Sequence, residues 1–271
     1  MKYLKNKKRL FLIPFILILL SGCVTEKDLK VPLSRYLSEH YQIKQKEFRF
    51  LTWDNNWLEG IDHQTAIEIK EPYHTTAFIT ILRDSYKIDN ANSDDVYMEL
   101  FKGAYIKQHP EVISALNQVI AKNSLMKKSP TEYDVAKGNF YYFLNIRIDE
   151  QQEEKLMDEF KQTPLIDTIT LLPTLKNSEK KEEKRFRGVV NFNFYYNTYK
   201  HSKRIPRAES ILNDFKKNRV LQEGLYCITV NTMNSSPKSI EYGLDPRNSN
   251  VRFRVDSKGK IQDVDVLSPE E

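Results

Sequence analysis

The hydrophobic positions fall into one long opening run, Leu10 to Leu20, and then into short periodic bursts. "VPLSRYLSEHYQIKQ", residues 31–45, sets Leu33, Tyr36, Leu37 and Tyr41 at helical spacing with Pro32 near the first turn, which predicts an amphipathic helix. "EFRFLTW", "TAIEIK" and "TAFITIL" are β-branched and aromatic, with polar breaks between them, and predict an antiparallel meander. "SDDVYMELFKGAYIKQ" follows as a helix capped by Ser93 or Asp94, and "PEVISALNQVIAK" as another with Pro110 at its start.

The second half repeats a theme. "NFYYFLNIRI" reads as a strand leading into the helix "DEQQEEKLMDEFKQ", and "GVVNFNFYYNTYK" as a strand leading into "PRAESILNDFKKN". A diverged duplication and two ordinary strand–helix units that look alike are both open. "EGLYCITVN", "NVRFRVD" and "KIQDVDVL" finish the chain as strands, the last two joined by the hairpin signal "SKG".

Strand alternation divides these segments into faces. Val190, Phe192, Phe194 and Tyr196 share one side, and Asn191, Asn193, Tyr195, Asn197 and Tyr199 share the other. In the earlier segment Phe140, Tyr142, Leu144, Ile146 and Ile148 stand opposite Tyr141, Phe143, Asn145 and Arg147. If the two strands share a sheet, Tyr141, Asn145, Arg147 and the Asn/Tyr set form a surface able to stack on a ligand and hydrogen-bond it. The alternative is simply the solvated side of a sheet whose other side is covered by helices.

The opening run changes where this body is expected to live. Lys2, Lys5, Lys7, Lys8 and Arg9 precede an apolar segment of 11 residues, too short to cross a bilayer as a helix, and "LSGC" follows. That pattern matches a bacterial lipoprotein leader, residues 1–22, with Cys23 as the lipidated N-terminus of the processed chain. Diacylglycerol on Cys23, with acyl chains such as palmitate, would hold the protein at the outer face of the cell membrane. Those five basic residues leave with the leader, so the 42 Lys and Arg of the full chain fall to 37, equal to its 37 acids. The net +5 therefore gives no support for a nucleic-acid partner, and none is expected.

Candidate chemistry is sparse. The five histidines show no zinc spacing, and no phosphate loop, dinucleotide fingerprint or nucleophile elbow occurs; no metal or cofactor is expected. Glu71 and His74 in "EPYHTTAFI" make the densest polar set and are the weak catalytic candidates. Cys227, which cannot pair with an acylated Cys23, reads as a buried small hydrophobe.

In "LSGC", "YLSEHYQI", "EPYHTTAFI" and the order "NFYYFLNI", "VNFNFYYNT", "EGLYCITVN", the chain resembles a family of lipoproteins of unknown function from Gram-positive Firmicutes, staphylococci and bacilli among them. The resemblance implies compartment and lineage and carries no site residues with it. Together these readings predict an α+β body, mainly antiparallel sheet with helices on one face. A tether over 23–30 leads to halves at 31–177 and 186–271, or to one domain in which 178–185, "SEKKEEKR", is a loop. The expected role is non-enzymatic binding of an envelope protein, a host protein or a wall component. An envelope hydrolase using Glu71 and His74, or the solute-binding part of a transporter, are the alternatives.

Overall fold

A computed structural model describes residues 25–53, 62–177, 187–199, 205–236, 239–241 and 248–267. Cys23 and the charge block 178–185 lie outside the described residues. Helix α1, Glu26–Tyr41, begins five residues before the expected Val31. Thr25 caps the helix there, its N–H and hydroxyl both donating to the Asp28 carboxylate at 2.8 Å, and Leu29 is already fully buried. Most of the stretch expected as tether is therefore helical. Leu29, Leu33, Leu37 and Tyr41 recur every four residues as the buried stripe.

The meander forms as expected: β1 (Phe48–Trp53), β2 (His63–Ile69) and β3 (Thr75–Ile81) make a three-stranded antiparallel sheet in sequence order. Two helices follow, α2 (Val96–Gln108) and α3 (Pro110–Lys122). The cap of α2 is Asp95, which accepts from the N–H groups of Tyr97 and Met98 at 2.8 and 3.2 Å. Ser93 and Asp94, the expected caps, instead accept from the N–H groups of Thr80 and Phe78 and tie the helix start to β3. Val96, Tyr97, Leu100, Phe101, Ala104 and Tyr105 are buried, and α2 touches β3, a short helix at Thr168–Leu171 and the larger sheet.

That sheet runs β4 (Leu144–Ile146), β5 (Val190–Asn197), β6 (Gly224–Ser236), β8 (Ser249–Val255), β9 (Ile261–Leu267), with β7 (Ser239–Glu241) also on β6. The β5–β6 pair is parallel, and the others are antiparallel. A parallel pair needs a crossover, which contains α7 (Ala208–Asn218). Ile211, Leu212 and Phe215 of α7 cover the apolar face; Phe215 stacks on Phe192 at 5.5 Å and Tyr226 on Phe253 at 5.6 Å. The remaining helices are α4 (Glu132–Ala136), α5 (Glu150–Gln162) and α6 (Thr168–Leu171). The buried apolar side chains of both sheets join in one cluster. An α+β fold of two mostly antiparallel sheets results.

The strand expected over 139–148 shrinks to three residues. Asn139 and Tyr141 hold positive φ of 56° and 41°, so residues 138–143 turn instead of extending. The turn breaks the two-residue alternation, and Tyr142 ends on the polar side rather than with Leu144 and Ile146.

Two features of the packing give expected outcomes. A Cβ at Gly188 would lie 2.5 Å from the Tyr226 carbonyl carbon and 2.6 Å from the Cys227 nitrogen, both backbone atoms that cannot step aside. Gly188→Ala should cost roughly 3 kcal/mol, at the upper end for overpacking, read from the urea midpoint; an unchanged midpoint would contradict the close approach. Glu153 of α5 lies half-buried near Asp95; burial first, then the neighbouring Asp95 carboxylate, push its carboxyl up from 4.5 to about 8. The folded state then holds a proton that the unfolded chain releases near pH 4.5, so stability falls as pH rises from about 4.5 to 8. Glu153→Gln should melt with wild type at pH 4.5 and above it at pH 8.5, whereas parallel melting curves at both would show that the carboxyl is ordinary.

Candidate functional site

The side of the larger sheet away from α7 is polar because the alternation that buries Phe192 and Phe194 must turn Asn191, Asn193 and Tyr195 the other way. Register then aligns equivalent positions on the neighbouring strands. Asn145 stands opposite Asn191, Thr229 opposite Asn193, Asn231 opposite Tyr195, and Asn250 opposite Thr229. Segment 129–142, with α4 inside it, rises beside this face and encloses a cleft of about 370 Å³, within the range of small-molecule sites.

The wall is fixed by charge. Lys137, at the end of α4, is buried and places its ammonium 2.6 Å from Asp94 and 2.7 Å from Glu99. Burial alone would lower its pKa, but the two carboxylates outweigh that and hold it above the ordinary lysine value. Tyr133 bonds Asp94 from the same helix. At the cleft margin Asp134 accepts from the hydroxyls of Ser129 and Thr131 at 2.5 and 2.8 Å, and the Ser129 N–H donates to Asn139 at 2.7 Å. Tyr142 donates to the Met126 carbonyl and stacks on Tyr195 with centroids 6.1 Å apart.

The cleft residues divide into those whose polar groups are spent and those whose groups are not. Asn191 folds back on the chain, accepting from the Gly188 N–H at 2.9 Å and donating to the Gly188 carbonyl at 2.8 Å. Asn250 donates to the Thr229 hydroxyl at 3.0 Å and accepts from the Cys227 thiol at 3.2 Å. Burial pushes that thiol up to about 11, against the pull of Thr229, Asn250 and Arg252, so it is neutral. By contrast, the side chains of Asn145, Asn193, Asn231 and Arg147 make no hydrogen bond or ion pair among the described residues, and all four line the cleft. Partial desolvation lowers the Arg147 pKa. Arg187, also at the cleft, is lowered by desolvation and then by the charge of Arg147, with Cys227 acting in the opposite sense.

Five of the eight residues expected on the polar strand faces meet here: Asn145, Arg147, Asn191, Asn193 and Tyr195. The other three do not. Tyr141 lies in the turn with its ring edge-on to Phe140 and Phe143. Asn197 is buried at the strand end, accepting from the Tyr199 N–H at 3.0 Å, and Tyr199 lies beyond the strand, 59% exposed. Thr229, Asn231 and Asn250 were missed, although alternation extended through "CITVN" and "NVRFR" marks them. Nothing local in the sequence marks Tyr133 or Asp134, which reach the cleft through the distant pairing of Lys137.

Glu71 and His74 are not joined to each other by any hydrogen bond among the described residues. His74 Nε2 lies 2.9 Å from Glu68 Oε1, and its ring packs on Phe140 at 4.8 Å. Glu68 also binds Arg49, so the three form a ladder on the smaller sheet, and none of them lines the cleft. A larger and more open groove, about 790 Å³, lies between α1 and residues 85–90, where Lys27, Asp28, Arg35 and Glu39 mix both charge signs.

No model of a known protein family matches this chain, and no curated protein matches it. Among solved structures, a DUF5037 family protein from Ruminococcus gnavus is similar over 87% of this chain and 94% of its own, at 12% identity and a TM-score of 0.33. A likeness of that strength carries no argument about function.

The wall supplies its own test. Lys137→Met leaves Asp94 and Glu99 facing each other without their cation, with Lys102 still 3.7 Å from Glu99. A stability loss of roughly 3 kcal/mol is expected by urea unfolding, with faster amide exchange over 129–142. Wild-type stability and exchange in the variant would mean that the wall is held by something else.

Proposed function

We propose that this chain is a lipid-anchored, extracytoplasmic binding protein of a Gram-positive bacterium, and that the polar cleft of the larger sheet receives its ligand. The observation that carries the reading is the convergence of Asn145, Asn193, Asn231 and Arg147 on one cleft with their hydrogen-bonding capacity unspent. A face meant only for water has no need of a wall held by a buried ion-pair network. The groups on offer suit a ligand: the amides of Asn145, Asn193 and Asn231 and the guanidinium of Arg147, beside aromatic ring faces and a thiol that burial keeps neutral. Anchoring is supported by the leader pattern ending at "LSGC", and Cys23 is the residue that would carry the lipid. The partner would be met at the membrane surface, as an envelope protein, a host protein or a wall component.

Each half of this reading has its experiment. Cys23→Ala should abolish fatty-acid labelling and move the protein out of the membrane fraction; full labelling of the variant would refute the anchor. Asn193→Ala with Asn231→Ala removes two amides worth about 1 kcal/mol each, so binding to isolated envelope fractions should fall roughly tenfold or more with little change in melting temperature. Undiminished binding by a folded double variant would take the cleft out of consideration.

A further inference from the structure

We infer that the cleft is built for a short extended peptide with free ends, its C-terminal carboxylate at Arg147, its main chain along the three uncommitted asparagines and its N-terminal ammonium toward Asp134. The inference rests on the binding role proposed above and names its ligand class.

Strand register sets the arrangement. Arg147 donates its backbone N–H to the Val189 carbonyl at 2.9 Å and so stands level with Val189 beside β5. Asn145 is level with Asn191, Asn193 follows on β5 itself, and Asn231 is level with Tyr195. The four side chains therefore form a diagonal row from β4 to β6, each one two residues further along β5 than the last. Each step advances roughly 7 Å along the strands. An extended peptide turns the N–H and C=O of every second residue to the same side, so its hydrogen-bonding groups recur at that same pitch. About six extended residues cover the roughly 20 Å of the row. Each asparagine amide has N–H donors for a peptide carbonyl and a carbonyl acceptor for a peptide N–H, and none of the three is committed among the described residues.

The two ends of the row carry opposite charge. Arg147 is partly desolvated and has no acidic partner among the described residues. Its planar fork matches a carboxylate through two parallel hydrogen bonds, and a chain end supplies one. A neutral glycan would meet the amides but leave that guanidinium without an anion. Asp134 belongs to the other end. Burial, then Tyr195, then the charge of Asp134 raise the Tyr142 phenol, and the Tyr142 ring stacks on Tyr195, the residue opposite Asn231. Asp134 Oδ2 accepts the hydroxyls of Ser129 and Thr131, which leaves Oδ1 without a partner among the described residues. A carboxylate with one spare oxygen suits an ammonium. Asn191 and Asn250, whose amides are spent on Gly188, Thr229 and Cys227, hold the floor rigid between the ends.

The test is calorimetric titration of the full-length protein, purified in detergent, with the hexapeptide Ala-Ser-Ala-Ser-Ala-Ser, its C-terminal amide, its N-acetyl form, the dipeptide Ala-Ser and maltotriose. The free hexapeptide should bind most tightly. Amidation should weaken it roughly 10- to 100-fold and acetylation several-fold, because each removes one charge from the ligand. The dipeptide, too short to pass Asn145, should bind roughly tenfold or more weakly than the hexapeptide. Arg147→Gln should bind acid and amide alike, a loss of discrimination that a general loosening of the fold would not produce. An amide as tight as the acid on wild type would overturn the carboxylate site, and an acetylated peptide as tight as the free one would overturn the direction assigned to the chain. A dipeptide as tight as the hexapeptide would contradict the row of amides. Binding of maltotriose but of no peptide, lost in Asn193→Ala, would overturn the ligand class while sparing the binding cleft. If no probe binds the wild type the inference fails, and envelope binding by the double asparagine variant decides separately whether the cleft binds anything else.

Discussion

The two-residue alternation of β5 is the constraint on which the rest of the structure depends. An interior strand paired on both edges cannot shift by one residue without exchanging its faces. Phe192 and Phe194, fully buried, contribute about 1.5 to 3 kcal/mol each by leaving water. A slip would drive Asn191 and Asn193 into that core and the phenylalanines into the cleft. The same energy that seats α7 on one side therefore places the asparagines on the other, and the neighbouring strands inherit the division through their register.

A polar sheet face becomes a cleft only if something stands beside it. The turn at 138–143 and the short α4 do this, and a buried lysine shared between two carboxylates at the start of α2 holds them. Buried ion pairs add little net stability compared with apolar packing, but breaking one is costly, so they fix position well. The wall is thereby tied to α2, the most buried helix among the described residues, which packs against β4 of the larger sheet. Cleft floor and cleft wall refer to the same core.

Much of this was legible in the sequence where the signal is local. The meander, α3 over Pro110–Lys122 and the two faces of β5 follow from periodicity and caps that lie within a few residues of one another. The failures are equally physical. Aromatic and β-branched residues favour strands, which places Tyr141 on a strand face, yet positive φ at Asn139 and Tyr141 makes a turn that propensity does not reveal. The start of α1 was missed because Thr25 and Asp28 cap it upstream of the apolar stripe. Glu71 and His74 are close in sequence, but His74, just before β3, has Glu68 of β2 as its partner. The contribution of Tyr133 and Asp134 depends on Lys137 meeting residues about forty positions away, and no local pattern encodes that.

The central claim is that the asparagines of the polar face fall into a structural set and a ligand-ready set. Hydrogen exchange of their side-chain NH₂ groups, followed by NMR on the intact protein, addresses it residue by residue. Slow exchange is expected for Asn191 and Asn250, whose amides are bonded within the fold, and fast exchange for Asn145, Asn193 and Asn231. Equal protection across all five would contradict the account, because the cleft would then have no free amides to offer.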